Sequence, residues 1–314
     1  MIRRTLLAAV AATAVLGLAA AGARAADPDT CKSVRLSDIG WTDVTATTAL
    51  TAMLLKDLGY QPKITELSVP VTYQSLKNKN IDVFLGNWMP SMEADRKPFI
   101  EDKSVEVLTD NLDGAKYTLA VPTYLYDKGL HDFSDIQKFG KQLDYKVYGI
   151  EPGNDGNRHV LDLIKQDRWG LGKFQLIESS EQGMLAEVER DYRRHKPIVF
   201  LGWEPHPMNK LFKMSYLTGG DDTFGPNYGA ATVFTNVRAG YAQECPNIAV
   251  LLKNEKFSLA GEDEMMDMIT NKKMDPAKAV ASWAKHHEND VKPWLEGVTT
   301  IDGKPGWPAV KSHL

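Results

Sequence analysis

The chain has 314 residues, 43% hydrophobic and 25% charged, a composition that fits a globular protein and excludes a disordered one. Its formal charge of −4 offers no basic excess to attract nucleic acid or an anionic membrane, so neither is expected as a partner. The two cysteines, Cys31 and Cys245, fit no C-x-x-C redox or zinc spacing.

The first element read along the chain is an export signal. A basic start with Arg3 and Arg4 leads into an apolar run from Leu6 to about Ala21, and Ala23-Arg24-Ala25 supplies a small-x-small cleavage site. The run is short for a membrane span, and no cysteine follows it closely enough for lipid attachment. Residues 1–25 are therefore expected to be a removed signal peptide, and the protein to be exported. Removal takes Arg3, Arg4 and Arg24 and no acid, lowering the formal charge from −4 by three to −7. About 290 residues are left, enough for two lobes with ordinary cores. In an oxidising compartment Cys31 and Cys245 are expected to form one disulfide. That bond would bring the two ends of the chain into one lobe.

Short apolar runs then alternate with amphipathic ones. Residues 34–39 read as a strand, and about 45–58 as a helix with Leu50, Met53, Leu54 and Leu58 on one face. A strand at 64–67, a short helical piece at 75–79 and a strand at 81–85 complete a first α/β series. Residues 117–121 read as a strand ended by Pro122. A second series has strands at 146–150, 174–177 and 198–201 and helices at 158–166 and 182–194. Residues 231–235 read as a return strand, and the chain from Pro246 as helical, with polar breaks near Asn271 and Glu288. The expected class is α/β.

Two segments echo each other. Val83-Phe84-Leu85-Gly86-Asn87-Trp88-Met89-Pro90 is matched by Val199-Phe200-Leu201-Gly202-Trp203-Glu204-Pro205. Each is an apolar strand followed by Trp and Pro, as expected of an internal repeat. Trp41, after Gly40 at the end of the first strand, takes a similar place. In open α/β sheets ligands bind beyond the carboxyl ends of strands. Three tryptophans there would flank one cleft, whereas Trp169, Trp283, Trp294 and Trp307 read as helix packing or tail.

Aromatic faces attract a desolvated cation by about 2 kcal/mol or more, and a quaternary ammonium has no N–H through which other groups could hold it. Asp43, two residues beyond Trp41, either caps the following helix or favours a cation. In the second role it would repel a ligand with its own carboxylate, separating choline from glycine betaine. Asn154, in Pro152-Gly153-Asn154-Asp155-Gly156, is either turn chemistry or a hydrogen-bonding partner for a ligand hydroxyl.

The segments Gly40-Trp41-Thr42-Asp43, Gly86-Asn87-Trp88-Met89-Pro90 and Gly202-Trp203-Glu204-Pro205 resemble the substrate-binding proteins of glycine betaine and choline ABC importers. The resemblance spans essentially the whole mature chain, both cysteines included. It implies a two-lobed periplasmic binding protein fold with two hinge crossovers and a ligand cleft between the lobes. Lobe I would comprise 26–114 and 230–314, and lobe II 115–229. In choline-binding members an aromatic box falls on positions matching Trp41, Trp88, Tyr117 and Trp203, with polar contacts at Asp43 and Asn154. The ligand implied is choline, with acetylcholine or a betaine as alternatives. A membrane permease would be the partner, and the protein a monomer without cofactor or metal.

An enzyme is the rival class. The sequence contains no G-x-S-x-G elbow and no H-E-x-x-H motif. His286-His287-Glu288 reads as a solvated helix end, because adjacent side chains diverge on a helix. His206 is the one residue near the expected cleft that could act as a base, in a choline-ester hydrolase for example, but no nucleophile accompanies it.

Overall fold

The computed structural model describes residues 27–314, so the expected signal segment lies outside the described residues. The first series runs β1 (Ser33–Asp38), helix α1 (Thr42–Asp57), β2 (Gln61–Glu66), a helix at Val69–Lys77 and β3 (Val83–Met89). A long strand, β4 (Val105–Pro122), leads to the second series. This contains β5 (Lys146–Tyr148), a helix at Asp155–Lys165, β6 (Gln175–Ile177), a helix at Glu181–Arg193 and β7 (Phe200–Glu204). The strands β8 (Met214–Tyr216) and β9 (Ala230–Arg238) follow, and then helices to the end.

Among the described residues all nine strands join one sheet in the order β2-β1-β3-β9-β4-β7-β5-β6, with β8 beside β4. The order is the same read from either end. In each half the first strand of a series lies parallel between the second and the third, and the third is edged by an antiparallel strand. The chain enters the second half along β4 and returns along β9, and these two pair antiparallel at the centre.

The repeat expected from the Val-Phe-Leu-Gly echo is thus architectural. β3 and β7 hold equivalent places, and each is followed by a cis X-Pro bond, Met89-Pro90 and Glu204-Pro205. The glycine of the echo has a packing reason. A Cβ on Gly86 would sit 2.5 Å from Val44 Cγ2, and one on Gly202 2.8 Å from Ala120 Cβ.

Several expectations need correcting. The strand at 117–121 is only the end of β4, whose first half was unread. Three register shifts against β9, between Val107 and Ala115, break the period-two alternation that would have revealed it. The helix Glu93–Glu101 buries no residue and contains Pro98, so it carries no apolar stripe to read. The piece at 75–79 is the end of the helix that begins at Val69. The C-terminal breaks fall after Thr270 and His286 as expected, with a further one between Asn254 and Leu259.

The Cys31–Cys245 disulfide is present, with Cα atoms 5.7 Å apart. Beside it, buried Asp27 accepts hydrogen bonds from the backbone N–H groups of Asn247 (2.7 Å) and Ile248 (3.1 Å) at the start of the helix Pro246–Asn254. A carboxylate there satisfies free helix N–H groups and complements the helix dipole. The two ends of the described chain therefore share one half of the molecule. Among the described residues no helix is long and apolar enough to cross a membrane.

Candidate functional site

The strand ends bring four aromatics together. Trp41 lies between β1 and α1, Trp88 in β3 and Tyr117 in β4, and Trp203 of β7 is directly opposite Tyr117 in register. With Ile150 they line a small apolar cavity. The Tyr117 ring meets Trp88, Trp203 and Phe224 edge-to-face, at centroid distances of 6.1, 6.2 and 5.7 Å. Such contacts lock the rings against one another. Trp88 Nε1 donates to Asp43 Oδ2 at 3.0 Å, and Trp41 Nε1 donates to Glu151. With those N–H edges bonded to carboxylates, the tryptophans leave ring carbon for the cavity.

Asp43 is 3% exposed, and its Oδ1 has no partner. Burial, and then repulsion from Glu181, push its carboxyl up to about 7. The N–H of Thr42 at the start of α1 is held from the other series rather than by Asp43. Glu181, from the second series, accepts from the Thr42 N–H at 2.8 Å and from the Thr42 hydroxyl at the start of α1. Asn154 does cap its helix, its Oδ1 accepting from the Asn157 N–H at 2.8 Å while its amide donates to the Glu151 carbonyl. It is not among the residues that line the cavity, and one of its two amide hydrogens is spent on that carbonyl.

Three carboxylates at this site went unread in the sequence: Glu151, Asp155 and Glu181. Asp155 and Glu181 stand in the first turns of their helices, where acids are ordinary, and Glu151 sits beside a Pro-Gly turn. Nothing local separates them from surface acids. In the structure Asp155 is 0% exposed, accepts from the Ser91 hydroxyl through Oδ2, and has no partner for Oδ1. Burial raises Asp155 to about 6 and Glu151 to about 7. The Tyr117 hydroxyl is buried and unpartnered; burial and the negative field of Asp155, Glu151 and Asp43 push it well above its ordinary range.

His206 is not a free base. Its Nδ1 accepts from the Met208 N–H at 2.9 Å, so the neutral ring carries its proton on Nε2, 3.2 Å from Glu181 Oε1. His287 stacks on Trp283 at 4.5 Å, and the described residues contain no group of side chains suited to a metal. Lys116 pairs with Glu204 at 3.0 Å and does not line the cavity. Trp283 and Trp294 stack on each other in the C-terminal helices, and Trp169 packs under Arg168.

The raised carboxyls predict a pH response. A native-state value above the unfolded one means that folding takes up protons, so this stabilisation holds at low pH and is lost as pH rises through 6 to 7. The ligand-free protein should melt at least about 5 °C higher at pH 5 than at pH 8 by differential scanning calorimetry. A cationic ligand favours the ionised acids, so its thermal shift should be larger at pH 8. Equal melting temperatures and equal ligand shifts at the two pH values would refute both signs.

A family model described as the substrate binding domain of ABC-type glycine betaine transport systems matches residues 32–286. The fold superposes with TM-score 0.90 on an ABC-transporter choline binding protein in complex with choline, 58% identical, covering 91% of this chain and 99% of that one. An ABC-transporter choline binding protein in an unliganded semi-closed conformation, also 58% identical, superposes with TM-score 0.83 over 90% of this chain and 99% of that one. The uncharacterized protein ORF1 of Chromohalobacter salexigens is 51% identical over 127 residues, 40% of this chain and 82% of that protein.

Proposed function

Because the chain belongs to the family of substrate binding domains of ABC-type glycine betaine transport systems, we propose that it captures choline between two lobes and delivers it to an ABC importer permease in the inner membrane. Its role is binding rather than catalysis, and as in its family it acts outside the cytoplasm, here as a periplasmic monomer. Lobe I comprises 26–114 and 230–314, and lobe II 115–229. The passage of β4 and β9 between the halves of the sheet supports these boundaries.

One observation carries the choice of ligand. The aromatic cavity has the buried carboxylate of Asp43 behind its wall and no Lys or Arg among its lining residues. Trp41, Trp88, Tyr117 and Trp203 surround the trimethylammonium group, which aromatic faces hold without hydrogen bonds. Asp43 and the Asn154 amide serve the hydroxyl end. The second reading, glycine betaine, is favoured by the description of the family. A betaine carboxylate, however, would meet like charge in a low-dielectric cleft with no cation to receive it.

Titration calorimetry with choline, acetylcholine and glycine betaine tests this. Choline should bind tightest, and betaine binding tighter than choline at neutral pH would sink the choline reading. Asp43→Asn should weaken choline by about tenfold, removing one buried charge, and narrow the gap to betaine.

A further inference from the structure

We propose that Glu151, Asp155 and Glu181 are specificity-determining residues that read the positive charge of the ligand through lobe closure. Each is carried by the second α/β series and hydrogen-bonded by a donor of the first series beside the aromatic box. The inference rests on the function proposed above and extends it to residues outside the cavity wall.

The pattern repeats three times. Trp41 Nε1 donates to Glu151, the Ser91 hydroxyl to Asp155, and the Thr42 N–H and hydroxyl to Glu181. In sequence these contacts span 110, 64 and 139 residues. All are made between the two halves of the sheet, so bringing the halves together places Glu181 near Asp43 and Glu151 and Asp155 near Tyr117.

Among the described residues none of these carboxylates forms an ion pair with Lys or Arg, and only Asp155 feels a cation, Arg158, from a distance. Each bond comes from a neutral donor, and His206, which also meets Glu181, is neutral because its Nδ1 accepts a backbone hydrogen bond. The nearby basic groups are committed elsewhere. Both terminal nitrogens of Arg158 pair with Asp95 at 2.7 Å, Lys116 with Glu204, and Lys210 with Asp263. Buried ions without a counter-charge destabilise the state that buries them. Glu181 repels Asp43, and Glu181 and Asp155 repel Glu151.

Tyr117, in the cavity wall, is where these influences meet, since its hydroxyl feels Asp155, Glu151 and Asp43 together. That hydroxyl and the Oδ1 atoms of Asp43 and Asp155 are buried and unpartnered. A monovalent cation in the box is the counter-charge the closed arrangement lacks. A zwitterion brings no net charge, and a neutral molecule of the same shape brings none at all.

The test compares choline with its uncharged carbon isostere, 3,3-dimethyl-1-butanol, by titration calorimetry on the purified mature protein. Glu151→Gln, Asp155→Asn and Glu181→Gln keep shape and hydrogen bonding while removing charge. Each should weaken choline by about tenfold and the isostere by less than about threefold, lowering the preference for the charged ligand. Ser91→Ala removes a donor between the halves without removing charge, so it should weaken both ligands in proportion. If the three acid variants also weakened both ligands in proportion, or changed neither, the charge-reading role would be overturned. Variants that failed to fold would be scored by circular dichroism. The same ratio would then be taken on Asp43→Asn, which removes that residue's own titration, at pH 5.5 and 8, where loss of choline preference at the lower pH supports the proposal and a constant ratio overturns it. If the wild type itself bound betaine more tightly than choline, the choline reading would fall instead.

Discussion

Trp88→Ala is expected to weaken choline binding by about a hundredfold or more, because two effects add. The substitution removes an aromatic wall of the box, and with it a desolvated cation–π contact of about 2 kcal/mol. It also deletes the N–H that donates to Asp43 Oδ2 at 3.0 Å, leaving both oxygens of a buried carboxylate without a partner. An orphaned buried acceptor costs about 1–3 kcal/mol. Part of that cost falls on the fold, so a lower melting temperature should accompany the lost affinity. Trp88→Phe separates the effects, since it keeps a ring face and loses only the donor. It should bind choline between the wild type and the alanine variant in titration calorimetry. An alanine variant within tenfold of wild type would show that Trp88 packs the core without holding the ligand.

Gly156→Ala should weaken choline by at least about tenfold although alanine is the better helix former by about 1 kcal/mol. Gly156 is the second residue of the helix Asp155–Lys165, and a Cβ there would lie 1.9 Å from the Tyr117 hydroxyl oxygen and 2.6 Å from its Cζ. The tyrosine ring cannot swing aside freely, because Trp88, Trp203 and Phe224 abut it. The methyl group must therefore tilt one wall of the box or push the helix, with Asp155, away from it. Tyr117→Phe in the same background removes the atom at 1.9 Å and keeps the one at 2.6 Å, so rescue should be partial. A double-mutant cycle on the two substitutions should give favourable coupling. Wild-type affinity in Gly156→Ala alone would mean that the ring is free to move.

The alternation of strands and helices, the repeat around β3 and β7, and the candidacy of Trp41, Trp88 and Trp203 are legible in the linear chain. These features are local. An apolar run ending in Gly-Trp or Gly-x-Trp places the ring at the carboxyl end of a buried strand, and helix or strand period follows from neighbours a few residues away. Tyr117 needed a family resemblance, because nothing in its own strand separates a box wall from a core residue. The first half of β4 escaped because its bulges hide the alternation, and the helix Glu93–Glu101 because it buries nothing.

The surroundings of the carboxylates emerge only in the folded chain. The sequence offers Asp43 as a cap or a ligand group, whereas Glu181, 139 residues away from Thr42, holds the start of α1 and Asp43 accepts from Trp88. Glu151 and Asp155 look like turn and first-turn acids until Trp41 and Ser91 close on them. The reason is physical. An aromatic ring carries its quadrupole wherever it is placed, so its chemistry can be read from residue type and strand position. A carboxylate's charge state and partner depend on desolvation and on donors brought from distant parts of the chain, and these exist only once the two halves of the sheet have come together.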